Sequence, residues 1–350
     1  MATDNDSTVI IDNILDRHKS FWHHCEVDEP LVQKVNFVGF KSRPYFASGG
    51  RTILNPTRIY PDDIDAHRLL GLDRPNISPL SGCKVNCIGP VLPEAWMESL
   101  IGCPIYASEY SCTAKPVNAD IRSAAEFSLD DAMGSPWLKV MDDVIRIGVD
   151  FSKDAIGVRQ LHLRGIIDML AAYLGEESLC IGMLDAKDEI GRLAQKFMQL
   201  YIKTALRGLS QRPLWKGGYV SSWGLFSPGT LLDYQVDASN MVSSGLYNEM
   251  LVKYDAEIVS NFDYSLIHVH SCGMHIIDSL LKIDQLDAIE LSLDREAGVW
   301  EPERTVEYCK KIQKAKKSVL ICGQLSQSEL DYLLLSLSPA SLAVFYWEPV

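Results

Sequence analysis

The chain has 350 residues, of which 47% are hydrophobic, and a formal net charge of −13 at pH 7. This length and apolar content suffice for a large core in one α/β domain or two ordinary domains. The acidic balance is spread along the chain and lacks the basic footprint of non-specific nucleic-acid binding, so a nucleic-acid partner is not expected.

Targeting and redox features indicate a cytoplasmic protein. The N-terminus lacks a basic region before an apolar block, and no apolar run approaches the roughly 20 residues that a membrane span requires. Neither a secretory signal nor membrane insertion is therefore expected. The nine cysteines of such a chain are expected to be reduced thiols.

Residues 1–78 have an irregular pattern. The segment DSTVIIDNILDRHKSFW, residues 6–22, is typical of an amphipathic helix capped by Asp or Ser. The later segment SRPYFASGGRTILNPTRIYPDD is rich in turn residues. We expect this part to form an extension that packs on the outside, or over one end, of the domain that follows.

From residue 79 to residue 350, short apolar runs alternate with helical patterns. Helices are predicted over 135–151, where Ser-Pro opens the segment, and over 188–209 and 243–262. Strands are predicted over 84–91, 104–111, 158–163, 178–184, 218–226, 264–270, 288–293, 318–323 and 342–347.

The alternation of strands and helices predicts βα units and a parallel sheet. Roughly eight such units indicate an α/β protein with a closed (β/α)₈ TIM barrel over residues 79–350. No Gly-x-Gly-x-x-Gly motif follows a strand, which argues against a dinucleotide-binding fold.

Several predicted strands end in side chains that can bind a metal ion. In a (β/α)₈ barrel the catalytic groups lie at the carboxyl ends of the strands. His270 and Cys272 follow one strand, and Glu290, Cys322 and Glu348 lie at the ends of the next three. Imidazole, thiolate and carboxylate are natural zinc ligands, and three of them with one open position make a catalytic site.

Other interpretations of these residues stay open. A His-x-Cys pair also arises by chance, as a buried cysteine beside a histidine that ends a strand. His268 shares a pleat face with His270, and a hydrogen-bonded interior histidine is favoured there over a ligand. Asp237 either binds a polar substrate group or caps the following helix. Cys83 and Cys87 are best interpreted as small core residues.

Several segments together resemble a known superfamily. The motif HSCG, followed by MHIIDSLLKIDQLDAIELSLD, is similar to the uroporphyrinogen decarboxylase superfamily, and closest to its zinc-dependent methyltransferases that use methylated corrinoid proteins. The segment DYQVDASNMVSSGLYNEMLVKYDAEIV resembles the Asp-containing loop and helix of this family. The resemblance covers about residues 80–350 and is strongest from 218 to 330.

The resemblance implies a set of zinc ligands. His270 and Cys272 match two ligands of the family, and Glu290 matches an acid that lies near or on the metal. The methyltransferases take a third thiolate from the end of the last strand. This chain has Glu348 near that position, and Cys322 lies one strand earlier, so the third ligand is Glu348 by order and Cys322 by chemistry.

The resemblance also implies a substrate site and partners. Glu290 and Asp237 are the expected catalytic residues: Glu290 orients the site or binds the metal, and Asp237 positions the substrate. His268 and Tyr247 are expected to contact the substrate. A separate corrinoid protein would supply the methyl group, a small thiol would accept it, and zinc would be the cofactor. Two alternatives remain: a decarboxylase of a polycarboxylate tetrapyrrole, and a non-catalytic barrel that binds a ligand. A homodimer is compatible with either activity.

Overall fold

The computed structural model describes residues 4–35, 45–46, 52–53, 55–72, 78–90, 95–108, 112–117, 120–124, 126–295 and 300–348. Within these ranges the α-helices are α1 (Asp4–His23), α2 (Ala66–Leu69), α3 (Trp96–Leu100), α4 (Ile121–Ala124), α5 (Leu129–Met133), α6 (Pro136–Ser152), α7 (Ile166–Leu174), α8 (Glu176–Asp185), α9 (Lys187–Ser210), α10 (Ser244–Met250), α11 (Val252–Val259), α12 (Ile277–Leu280), α13 (Pro302–Lys314) and α14 (Gln327–Ser336).

The strands are β1 (Leu31–Lys34), β2 (Tyr45–Phe46), β3 (Thr52–Ile53), β4 (Thr57–Ile59), β5 (Leu80–Ser81), β6 (Lys84–Val85), β7 (Cys87–Ile88), β8 (Ile105–Ala107), β9 (Cys112–Ala114), β10 (Gly157–Val158), β11 (Tyr219–Val220), β12 (Phe226–Ser227), β13 (Leu231–Gln235), β14 (Tyr264–His270), β15 (Ala288–Leu293), β16 (Ser318–Gln324) and β17 (Leu342–Trp347). Short 3₁₀ helices span Pro61–Asp63, Asp237–Met241 and Ser271–Ile276.

The centre of the molecule is a six-stranded parallel sheet in the order β1-β17-β16-β15-β14-β13. Beyond β13, a parallel bridge joins Arg164 to Gln235, and β7 pairs with β10 in parallel. The α/β class with a parallel sheet is thus confirmed, and closure into an eight-stranded barrel stays a prediction. The strand β1 lies within the predicted N-terminal extension, so this segment supplies an edge strand and does more than pack against the domain.

The two faces of the sheet bury different sets of side chains because successive residues of a strand point to opposite sides. On β14, Ile267 and Val269 pack into the large core that includes the helices. On the opposite face, Leu266 packs with Phe21 and Trp22 of α1 in a second apolar cluster. The side chains of His268 and His270 share the face of Leu266, beyond that cluster.

The last four predicted strands are confirmed by β14, β15, β16 and β17, and the helix opened by Ser135 and Pro136 is confirmed by α6. The predicted strand over 178–184 is wrong, because the segment lies in α8. Leu179, Gly182 and Met183 are buried there at three- and four-residue spacing, which a helix brings to one face.

Two further predicted strands belong to small antiparallel sheets outside the central sheet. The first sheet has three strands, with β8 between β4 and β9, and the second is the hairpin of β11 and β12. The strand β13 was not predicted, since Asp233 and Gln235 interrupt its apolar run. No helix in the described ranges carries an apolar stretch long enough to cross a membrane.

Candidate metal centre

Asp237, His268 and His270 converge at the carboxyl ends of β13 and β14. Both histidines lie on one face of β14, and Asp237 begins the 3₁₀ helix that follows β13. The two Nε2 atoms lie 3.1 Å apart. Asp237 Oδ1 lies 3.7 Å from Nε2 of His268 and 3.5 Å from Nε2 of His270. Among the described residues these three form the one cluster of His, Cys, Asp or Glu that could hold a metal ion.

The spacing of the three donor atoms suits a small divalent cation. A tetrahedral ion with bonds of about 2.0–2.2 Å separates its ligand atoms by about 3.3–3.6 Å. The separations of 3.1, 3.5 and 3.7 Å bracket that range. Asp237 Oδ1 is also buried without a hydrogen-bond donor in the described structure, and such an orphaned acceptor requires an explanation. A cation shared with the two imidazoles supplies one.

Each imidazole is held by a carboxylate on its other nitrogen. Nδ1 of His268 contacts Glu290 Oε2, and Nδ1 of His270 lies 2.9 Å from Asp294 Oδ1. Asp294 is itself fixed, because the Ser271 N–H donates to its Oδ2 at 2.9 Å. Metal-binding histidines almost always carry such a partner, which sets the tautomer and directs the Nε2 lone pair at the ion.

The local charges change the proton affinity of both rings. Burial lowers the pKa of His268, but the charge and hydrogen bond of Glu290 outweigh it and raise the pKa above its ordinary value. Burial is likewise outweighed at His270 by Asp294, so the pKa of His270 is also raised. Desolvation acts against the ionised form of Asp294, yet its bond to His270 lowers its pKa overall. The cluster therefore attracts a positive charge, be it a proton or a metal ion.

An aromatic side chain covers one wall of the cluster. The Trp223 ring stacks on the His268 ring with centroids 4.9 Å apart and an interplanar angle of 11°. Trp223 lies between β11 and β12, and buried Asp233 holds this hairpin by accepting a 2.7 Å hydrogen bond from Ser222 Oγ. Trp223 also forms a T-shaped contact with the ring of His162. The hairpin thus shields the deeper histidine from solvent.

The cysteines and the glutamate predicted as ligands lie outside the cluster. The chain turns into a 3₁₀ helix after His270, and Cys272 Sγ lies 3.9 Å from Asn240 Nδ2. Cys322 is buried beside Glu290, and burial raises the pKa of its thiol. Glu348 is exposed and pairs with Lys34 at 2.7 Å.

The remaining predicted residues lie partly at the cluster and partly in the core. Glu290 is fully buried and contacts His268, so it lies beside one of the three candidate ligands, in the orienting position that was one of its two expected roles. His268, expected to contact substrate, is one of the three converging donors. Tyr247 is fully buried in the large core, where its hydroxyl donates to Asp255 Oδ2 at 2.6 Å. Asp237 does not cap the following helix.

Sequence reasoning missed the role of Asp294 and the ligand position of His268. The signal that could have found them is the strand register, in which His268 pairs with Glu290 and His270 with Ser292. The two histidines of β14 therefore lie beside an acid within β15, Glu290, and an acid just after it, Asp294.

Comparison with known proteins shows a likeness at the level of the fold. No protein-family model matches this sequence, and no curated protein sequence matches it. Among solved structures, a methyltransferase from Methanosarcina mazei is similar, with a TM-score of 0.62 and 11% sequence identity. The match covers 96% of this chain and 93% of the other. The two chains therefore share an overall fold.

Proposed function

We propose that this protein is a zinc-dependent methyltransferase that moves a methyl group from a partner corrinoid protein to a small thiol. The observation that carries this proposal is the convergence of Asp237, His268 and His270, with a carboxylate behind each imidazole. The fold shared with a methyltransferase from Methanosarcina mazei adds support.

The donor set suits a catalytic metal ion. Two histidines and one carboxylate form a site with an open position, and this set resembles the two-histidine, one-glutamate sites of catalytic zinc. A zinc ion held by these side chains lowers the pKa of an acceptor thiol and keeps it as the nucleophilic thiolate. The same ligand set also suits non-haem iron, so the identity of the metal is part of the test.

The chain itself supplies orientation and shielding. Glu290 and Asp294 hold the two imidazoles in the tautomer that presents Nε2 to the ion. Trp223 covers one face of His268 and keeps water from that side. In the transfer, the sulfur–carbon bond forms as the carbon–cobalt bond breaks, and the electron pair of the broken bond stays on cobalt.

The test combines metal analysis with a transfer assay. We expect close to one zinc per chain in the purified protein and thiol methylation when free methylcobalamin and 2-mercaptoethanol are supplied. His270→Gln removes one donor and should abolish both the bound zinc and the transfer. His275→Gln is the matched control, since His275 lies in the 3₁₀ helix that follows His270, outside the cluster, and its Nε2 bonds the Val242 carbonyl at 2.8 Å.

Three outcomes would contradict the proposal. Protein that contains and binds no zinc, yet decarboxylates a tetra-acid porphyrinogen, would support the decarboxylase alternative. Bound zinc without methyl transfer to any thiol tested would support a ligand-binding barrel. Iron in place of zinc, with activity that follows iron content, would reassign the metal.

A further inference from the structure

We propose that Asp168 is a positioning residue, whose buried carboxylate clamps the backbone that presents Asp237 to the metal centre. This inference rests on the proposed metal site. Asp168 lies in the first turn of α7 and is 6% exposed. Its Oδ1 accepts from the Ala238 N–H at 2.6 Å, and its Oδ2 accepts from the Asp237 N–H at 3.3 Å.

The clamp joins two distant parts of the chain. Asp168 is 70 residues from Ala238, and the bond between them is the shortest that this carboxylate makes. Asp168 also accepts from Gly165 N–H at 3.3 Å, which caps its own helix. A residue that served only as a cap would not also bind two backbone N–H groups of the loop after β13, one of them at a shorter distance than the cap itself.

The start of α7 is itself held firmly against the end of β13. Gly165 N–H donates to the Gln235 carbonyl at 2.9 Å, and Arg164 forms a parallel bridge with Gln235. A Cβ added at Gly165 would lie 2.2 Å from the Gln235 carbonyl oxygen, so only glycine allows this approach. The carboxylate of Asp168 therefore starts from a fixed place, which a positioning role requires.

A half-buried arginine opposes the repulsion between the two acids. Asp168 and Asp237 repel each other, and this adds to burial in raising the pKa of Asp168 well above its ordinary value. Arg164 attracts both carboxylates, and it pairs with buried Glu98 at 3.0 Å. The pairing with Glu98 fixes the guanidinium beside the loop. The charge of Arg164 lowers the pKa of Asp168 and so partly offsets the repulsion from Asp237.

The experiment compares Asp168→Asn with Asp287→Asn. Asp287 is a matched control because its carboxylate also accepts from a backbone N–H, that of Ser265 at 2.8 Å, but at the start of β14, away from the metal centre. Asparagine keeps the shape of each side chain and offers a single acceptor oxygen. Zinc affinity is measured by competition with a chromophoric chelator, and Co²⁺ bound in place of zinc reports the ligand geometry through its visible spectrum.

We expect Asp168→Asn to weaken zinc binding by about 10- to 100-fold and to alter the Co²⁺ spectrum, as loss of an outer partner does. Asp287→Asn should leave both unchanged, although both variants lower the unfolding midpoint. Equal zinc affinities for the two variants would overturn the clamp and leave Asp168 as a helix cap.

Failure of the metal site can be distinguished from failure of the clamp. If wild-type protein does not bind zinc, the proposed function fails, whereas hydrogen exchange still tests the clamp. The amides of Asp237 and Ala238 should exchange faster in Asp168→Asn than in wild type and Asp287→Asn. Unchanged exchange at both amides would overturn the inference even where zinc binds.

Discussion

The two ends of the central sheet are built on the same strands but have opposite chemistry. At the amino end, Leu266 and its neighbours on β13, β15, β16 and β17 pack with Phe21 and Trp22 into an apolar cluster. At the carboxyl end, the same face carries His268 and His270, with acids around them. Along this face of β14, the apolar Leu266 is followed directly by the imidazole of His268, two residues further on.

The residues that stabilise the sheet and the residues of the candidate site therefore lie at opposite ends of the same strands. The amino end removes large apolar surfaces from water. The carboxyl end buries charged groups and leaves Asp237 Oδ1 without a donor, an arrangement that lowers stability unless a ligand completes it. Proteins tolerate such local conflicts mainly at functional sites. The next three predictions test this separation, in decreasing order of the expected change in stability or zinc affinity.

Replacing Trp22 with alanine should give the largest loss of stability. The Trp22 ring is buried against Phe21 and Tyr264, and its Nε1 donates to the Phe226 carbonyl at 2.7 Å. Truncating a buried aromatic residue costs about 3–5 kcal/mol, measured as the free energy of unfolding in urea. Leu335→Ala, at a side chain 88% exposed, is the control and should change it little. Weaker zinc binding by folded Trp22→Ala would contradict the separation of the two ends.

His18 should make the apolar end sensitive to acid. Phe226 N–H donates to His18 Nδ1 at 3.0 Å, so Nε2 carries the proton and donates to the Cys83 carbonyl at 2.7 Å. Burial lowers the pKa of His18 from 6.5 to about 4. Because the folded pKa is the lower one, the unfolded chain binds more protons between these values. The neutral ring therefore stabilises the fold above pH 6.5, and this contribution is lost as the pH falls towards 4.

The measurement is the free energy of unfolding at pH 7 and at pH 4. The His18 contribution to the difference is about 3 kcal/mol, from the size of its pKa shift. Gln in place of His18 has an acceptor and a donor but does not titrate, so His18→Gln should reduce the difference by that amount. An identical pH dependence in wild type and variant would show that His18 titrates freely and that the amino end is not closed.

Cys272→Ser should have the smallest effect. The thiol contacts Asn240 and lies outside the cluster, and burial raises its pKa, so it is held as the neutral form. We expect zinc affinity to change by less than about threefold, the scale of a surface substitution of a few tenths of a kcal/mol. The chelator competition assay measures it. A loss of zinc comparable to that of His270→Gln would restore the His-x-Cys ligand pair suggested by the motif.

The elements that depend on the local sequence pattern could be predicted from the sequence alone. Short apolar runs alternating with helical patterns predicted β14, β15, β16 and β17, and the Ser-Pro start predicted α6. The position of His270 at the site followed from the rule that strand ends carry catalytic groups, whereas for Asp237 the sequence left substrate binding and helix capping open. Local pattern failed at 178–184, where an apolar run without clear alternation forms a helix because its buried residues repeat at three and four.

Which side chains meet at the candidate site depends on the tertiary structure. The register of β14 against β15 sets His268 opposite Glu290, and the pairing of β13 with β14 brings Asp237 to both histidines. Cys272 follows His270 closely in sequence, yet the 3₁₀ turn after the strand takes it out of the cluster. Ligand sets join atoms from strands that are distant in the chain, so spacing along the sequence cannot specify the direction in which each side chain points.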